Sequence, residues 1–247
     1  MGVLTEVCLD DVDGVLLAES LGADRVELCA GLVEGGTTPS IGTVAVTLSR
    51  VTRIGVQVMI RPRGGGFAYS PAEVDTMLAD IAAVRALPVP AGVTVGFVLG
   101  ALTPDGALDD PTMARLVTAC GGAPVTMHKA FDTLADLPAA LERLVALGVT
   151  RVLTSGGATS CAEGVAALAA LVQQAAGRIG VLAGGGVRPH NVADLVARTG
   201  VQEVHFRAAL PVGPAAGSAT GVSYDAGPRL ATAAGPIREM LRALDGH

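Results

Sequence analysis

The 247-residue chain is half hydrophobic, only 16% charged and carries a net charge of −6, so it has no electrostatic footprint for nucleic acid or an anionic membrane surface. It has no tryptophan, two tyrosines and four phenylalanines, too few aromatic faces for base-stacking platforms. No run of about 18 apolar residues is present to span a bilayer, and the length suits a single α/β barrel domain.

Strand-like apolar runs alternate with Ala/Leu-rich helical patterns along the chain. The first strand is predicted over 3–8, closing on Glu6-Val7-Cys8, and Asp10-Asp11 opens a helix near 11–22. The second strand, 25–29, closes on the similar phrase Glu27-Leu28-Cys29, and Gly35-Gly36-Thr37-Thr38-Pro39-Ser40 leads into a helix near 40–51. A third strand at 55–60 runs into Arg61-Pro62-Arg63-Gly64-Gly65-Gly66, with a helix from Pro71 to about 87. Strand four is read at 93–99 with a helix at 111–119, and strand five at 125–128 with a helix near 136–147. Strand six, 149–154, ends in Ser155-Gly156-Gly157 ahead of a helix at 161–176. Strand seven, 179–182, ends in Gly184-Gly185-Gly186 ahead of a helix at 189–199. Strand eight is read at 201–206, followed by a Gly/Ala/Pro-rich loop at 210–228 and a last helix at 229–244.

Eight strand–helix units predict a (β/α)8 TIM barrel forming one domain over 1–247. The rival, an open doubly wound sheet, lacks its Gly-x-Gly-x-x-Gly fingerprint after strand one. The opening Met1-Gly2-Val3-Leu4-Thr5-Glu6 has no basic segment ahead of an apolar stretch, so a secretory leader is not expected. Four cysteines (8, 29, 120 and 161), none in Cys-x-x-Cys spacing, are expected as reduced thiols of a cytoplasmic protein.

In such a barrel the functional face is the C-terminal end of the strands. Side chains two apart on a strand share a face, so the two Glu-x-Cys phrases are expected to aim two carboxylates and two thiols at one place. Glu203, His205 and Arg207 share the face opposite Val204 and Phe206. Arg61, Arg63 and Arg188 are candidates for binding an anion. The turns containing Ser155, Gly156, Gly184 and Gly185 offer backbone N–H groups for the same purpose. Glu6, Glu27, His128 and His205 are the acid–base candidates. Lys129 follows strand five, and alternation predicts that it points outward if His128 points inward.

Several motifs resemble one known family. They are Glu6-Val7-Cys8, Gly22-Ala23-Asp24-Arg25-Val26-Glu27-Leu28-Cys29, Glu34-Gly35-Gly36-Thr37-Thr38-Pro39-Ser40 and Ile60-Arg61-Pro62-Arg63-Gly64-Gly65. His128-Lys129-Ala130-Phe131-Asp132, Arg151-Val152-Leu153-Thr154-Ser155-Gly156, Ala183-Gly184-Gly185-Gly186-Val187 and Glu203-Val204-His205 extend the match to strand eight. Together they are similar to the copper homeostasis protein CutC family. The resemblance implies a cytosolic (β/α)8 barrel, a homo-oligomer, and a Cu(I) ion as ligand with Cys8 and Cys29 as its metal-binding pair. Gly66, Lys129, Phe206 and Arg207 depart from the family pattern. Beside the copper reading stands an alternative: a lyase- or isomerase-type barrel enzyme acting on a small anionic or phosphorylated metabolite.

Overall fold

Most strand residues of this chain are apolar, with valine the commonest, the composition of a parallel sheet covered on both faces. The computed structural model describes residues 2–212 and 229–245. Its eight parallel strands are β1 (Leu4–Leu9), β2 (Arg25–Leu28), β3 (Gly55–Met59), β4 (Val95–Leu99), β5 (Val125–Met127), β6 (Arg151–Thr154), β7 (Gly180–Gly184) and β8 (Glu203–Arg207). They close in sequential order, β8 pairing with β1, so the chain is a (β/α)8 TIM barrel. Seven helices fill the crossovers: α1 (Val12–Leu21), α2 (Ile41–Leu48), α3 (Pro71–Arg85), α4 (Asp110–Ala119), α5 (Leu137–Ala146), α6 (Val165–Ala175) and α7 (Val192–Thr199). A final helix, α8 (Ala234–Leu244), packs against α1 and α7.

The helices start where side-chain caps permit. Asp11, Ser40, Asp109 and Asp136 each accept a hydrogen bond from a first-turn N–H. Ser70 and Glu73 form a full capping box at the start of α3. Outward strand residues such as Val7, Val26, Val56, Val58 and Val204 meet Val15, Met77, Ile81, Leu168 and Ile237 of the helices in one continuous core. Each such side chain contributes about 1.5–3 kcal/mol on full burial.

The segment after β8 departs from expectation. Strands β9 (Ala209–Val212) and β10 (Arg229–Thr232) pair antiparallel within what reads as loop and helix, and the last helix starts at Ala234. β10 is tied down when the Thr232 hydroxyl donates to Asp11 Oδ2 at 2.8 Å. The rest of the expected loop, 213–228, lies outside the described residues. Among the described residues no helix is long and apolar enough to cross a membrane.

The barrel interior is charged in its lower half. Arg25 donates from Nε to Glu6 at 2.8 Å and from Nη2 to Glu203 at 2.6 Å. Arg151 donates to Glu203 at 2.5 Å and to the Thr126 hydroxyl at 3.1 Å. Two guanidinium groups thus balance two carboxylates in a layer whose side chains are at most 14% exposed. This layer forms the floor beneath the mouth.

Candidate functional site

The strand ends and the loops that leave them enclose a cavity of about 360 Å³. The strands contribute Cys8, Glu27, Met59, Leu153, His205 and Arg207 to its lining. Leu32, Glu34 and Gly35 come from the loop after β2, Arg61 and Phe67 from that after β3, and His128 and Lys129 from the end of β5.

Strand register sets the depth of each group. Cys8 stands level with Glu27 on β2, while Glu6 stands level with Arg25 and with His205 on β8. The two Glu-x-Cys phrases are therefore staggered by two residues, as the tilt of barrel strands requires. Glu6 is fully buried beneath the cavity, outside its lining, and Cys29 lies past the end of β2, packed on Met59 and Val98.

One ligand atom each of Cys8, Glu27 and His205 lies within 4.8 Å of the others. His205 Nδ1 is 2.9 Å from Glu6 Oε1, and its Nε2 is 3.9 Å from Glu27 Oε2. The Cys29 thiol donates to Glu27 Oε2 at 3.5 Å. The electrostatics follow from these contacts. The bond from Cys29, and then the His205 imidazole, draw Cys8 well below the ordinary thiol range despite burial. The same shared hydrogen bond, together with burial, pushes Cys29 well above it. Burial and the neighbouring Cys8 raise Glu27 well above the usual carboxylate range. Burial opposes charge on His205, but Glu27, Cys8 and Glu6 outweigh it and raise the imidazole well above its ordinary value. Burial likewise opposes charge on Glu6, yet the bond to His205 and the charge of Arg25 hold it down at about 2. These contacts thus favour the ionised forms of Cys8 and His205 over those of an isolated thiol and imidazole.

The opposite wall is built on Arg61 and His128, both nearly inaccessible. Arg61 donates from Nη1 to the carbonyls of Glu34 at 2.9 Å and Gly36 at 2.8 Å, and from Nη2 to Gly65 at 2.7 Å. Gly36 reaches this position with φ +90°, a conformation that L side chains rarely adopt. The guanidinium lies 5.1 Å from the Phe67 ring centroid, and the same ring lies 4.9 Å from that of His128. His128 Nδ1 accepts from the Ala130 N–H at 3.3 Å, which leaves the ring proton on Nε2. Burial, then the charge of Arg61, depresses its pKa to about 3, so the ring is neutral. Gly100 makes room for it, because a Cβ there would stand 2.6 Å from the His128 ring.

Several expectations change. Lys129 faces the mouth, because β5 ends at Met127 and the chain enters a short 3-10 helix, Lys129–Thr133, where strand alternation stops. Its ammonium bonds Ser155 Oγ at 2.8 Å, the Gly184 carbonyl at 3.1 Å and Asp132 at 2.8 Å. The turn at 155–157 already holds an anion, the carboxylate of Asp132. That group accepts from Thr154 Oγ1 at 2.5 Å, Ser155 N at 3.0 Å and Gly157 N at 2.8 Å, while Gly156 N donates to Thr154 Oγ1 at 2.8 Å. Ser155 and Gly156 therefore have no N–H left for a ligand. Gly184 presents its carbonyl to Lys129, and the Gly185 carbonyl accepts from Cys161 N at 2.8 Å. Arg63 turns away to pair with Glu73 at 2.5 Å, and the exposed Arg188 bonds the Val187 carbonyl. Neither arginine lines the cavity. Phe206 packs outward among the helices as alternation predicts, while Arg207 lines the mouth.

Sequence reasoning passed over Phe67, Leu32, Leu153 and Glu34 as lining residues. Leu32, Glu34 and Phe67 sit in loops without periodicity, and Leu153 reads as ordinary strand core.

The profile of the CutC family matches residues 3–210. A CutC protein of Mesorhizobium japonicum is 49% identical over 205 residues, covering 83% of this chain and 77% of the relative. A human protein named copper homeostasis protein cutC homolog is 46% identical over 207 residues, covering 84% and 74%. The solved structure of CutC from Streptococcus agalactiae superposes with a TM-score of 0.75 at 35% identity, covering 82% of this chain and 97% of that one. A match running from the first strand through the eighth, carrying the Glu-x-Cys phrases that build the mouth, leaves one conclusion: the chain belongs to the CutC family, whose human relative bears the name of copper homeostasis.

Proposed function

We propose that this protein is a cytoplasmic copper homeostasis protein that takes up Cu(I) as cargo at Cys8 and Cys29, with His205 beside them. The observation that carries the reading is the donor set: Cys8, His205 and Glu27 within 4.8 Å of one another, with the Cys29 thiol beside them on the Glu27 carboxylate at 3.5 Å. Cu(I) prefers soft thiolate ligands at low coordination, and copper would displace the thiol protons. His205 is anchored from behind by Glu6, an outer partner of the kind that fixes ring orientation at metal sites. The protein acts as a homo-oligomer in this reading, supported by exposed Leu210, Val212 and Leu230 on the β9–β10 ribbon. Competition against a Cu(I) chelator tests the site. Wild type should bind tightly, and the Cys8→Ser/Cys29→Ser double variant should lose at least 100-fold; equal affinity refutes the assignment. Light scattering reads the oligomeric state.

One observation favours a second reading, an enzyme of lyase or isomerase type acting on a small anionic metabolite. Among the described residues, three buried polar atoms of cavity-lining residues have no partner: Arg61 Nε, His128 Nε2 and Glu27 Oε1. Buried groups of this kind are normally satisfied. Metal-free protein that takes up a small anion in the cavity supports this reading, and protein that binds none removes it.

A further inference from the structure

The three unpartnered atoms differ in chemistry, and the difference describes a ligand. Arg61 Nε–H and His128 Nε2–H are donors, and the Phe67 ring lies against both side chains. Glu27 Oε1, on β2, is an oxygen that can accept. Arg61, His128 and Glu27 are 5%, 4% and 3% exposed, so bulk water does not satisfy these atoms. Leaving a buried donor or acceptor unmade is costly, and a ligand that meets all three recovers that cost. Met59, Leu32, Leu153 and Phe67 supply apolar wall between the polar points.

We propose that the mouth cavity recognises a small 2-hydroxycarboxylate, with its carboxylate on Arg61 Nε–H and His128 Nε2–H and its hydroxyl on Glu27 Oε1. The proposal rests on the small-anion reading above and narrows it to a class. A carboxylate fits better than a phosphoryl group because the turn at 155–157 spends its N–H groups on Asp132 and Thr154, and Gly184 and Gly185 do not line the cavity. A hydroxyl fits better than an ammonium because Arg61, Lys129, His205 and Arg207 already line the cavity, which suits a ligand of net negative charge. The volume of about 360 Å³ lies at the small end of the range for ligand sites.

Calorimetric titration of the metal-free, full-length protein tests this with four probes. They are 2-hydroxy-4-methylpentanoate, 4-methylpentanoate without the hydroxyl, leucine with an ammonium in its place, and inorganic phosphate. The hydroxy acid should bind saturably and at least 10-fold tighter than each of the others. Arg61→Lys, which keeps the charge but removes the Nε–H geometry, should weaken it more than 10-fold, and Glu27→Ala should erase the advantage over 4-methylpentanoate. Should either variant fail to fold, the ¹⁵N-resolved Hε2 resonance of His128 in wild type provides the readout, moving on addition of the hydroxy acid. Equal binding of the deoxy acid, tighter binding of leucine, or an unmoved His128 resonance overturns the class. Phosphate binding without hydroxy-acid binding also overturns it while leaving the small-anion reading intact. Binding of none of the four removes both.

Discussion

His205 Nδ1 sits 2.9 Å from Glu6 Oε1, and Glu6 is in turn held by Arg25 at 2.8 Å. The imidazole is thereby fixed from below, with its Nε2 3.9 Å from Glu27 Oε2 and Cys8 in the same cluster. Glu6 is invisible from the cavity, yet it sets the orientation and charge of a group that lines it. Glu6→Gln should lower the pKa of His205, read by NMR titration of the ring carbons, while the barrel stays folded. An unchanged His205 titration would sink the positioning role.

The same carboxylate makes stability depend on acid. Its folded pKa of about 2 lies below the ordinary 4.5, so the folded state binds fewer protons than the unfolded chain. Its stabilisation is complete above about pH 4.5 and is lost as the pH falls through about 2. Wild type should lose roughly 3 kcal/mol from this group across that window. Urea midpoints measured between pH 5 and 2 should fall less steeply for Glu6→Gln, and parallel curves would count against the assignment.

The buried layer of Arg25, Glu6, Glu203 and Arg151 predicts a contrast with the surface. Glu203→Gln strips the shared partner from two guanidinium groups and should cost about 3–5 kcal/mol in denaturant unfolding. The exposed Arg198–Asp194 pair at 3.1 Å is the control, where Asp194→Asn should cost less than about 1 kcal/mol. Similar losses at both places would mean that the interior layer is solvated.

Cys8 should be the reactive thiol. It is half-buried at the mouth, whereas burial pushes Cys120 up to about 12 and Cys161 up to about 11. Iodoacetamide should modify Cys8 first, by peptide mapping, at a rate that rises less from pH 7 to 9 than an ordinary thiol's. An ordinary thiol gains on the order of 25-fold over that range. Cys29→Ala removes the largest cause of the lowered pKa and should restore the pH dependence. A steep wild-type profile would contradict the thiolate.

Asp132 predicts a local collapse. Asp132→Ala orphans the N–H groups of Ser155 and Gly157 and the Thr154 hydroxyl, and takes the carboxylate from the Lys129 ammonium. The expected cost is about 2–4 kcal/mol, with Asp132→Asn intermediate. A neutral Asp132→Ala would show that the turn holds itself.

The sequence by itself determined the barrel, because eight apolar runs alternating with helical patterns bury their faces in only a few ways, and sequential closure is one of them. It also determined which strands carry the polar face, since a period of two puts Cys8 with Glu6 and His205 with Glu203 on the inside wherever a strand continues. Tertiary structure decided depth, direction and partnership. Strand stagger sank Glu6 into the ionic floor while leaving Cys8 level with Glu27, and the end of β5 at Met127 turned Lys129 inward. Asp132 took the turn N–H groups that glycine spacing offered to a ligand. Each of these depends on which group arrives from another part of the chain, 19 residues away for Arg25 on Glu6 and 199 for His205. A local pattern carries no term for such contacts, because their energies exist only once the barrel has closed.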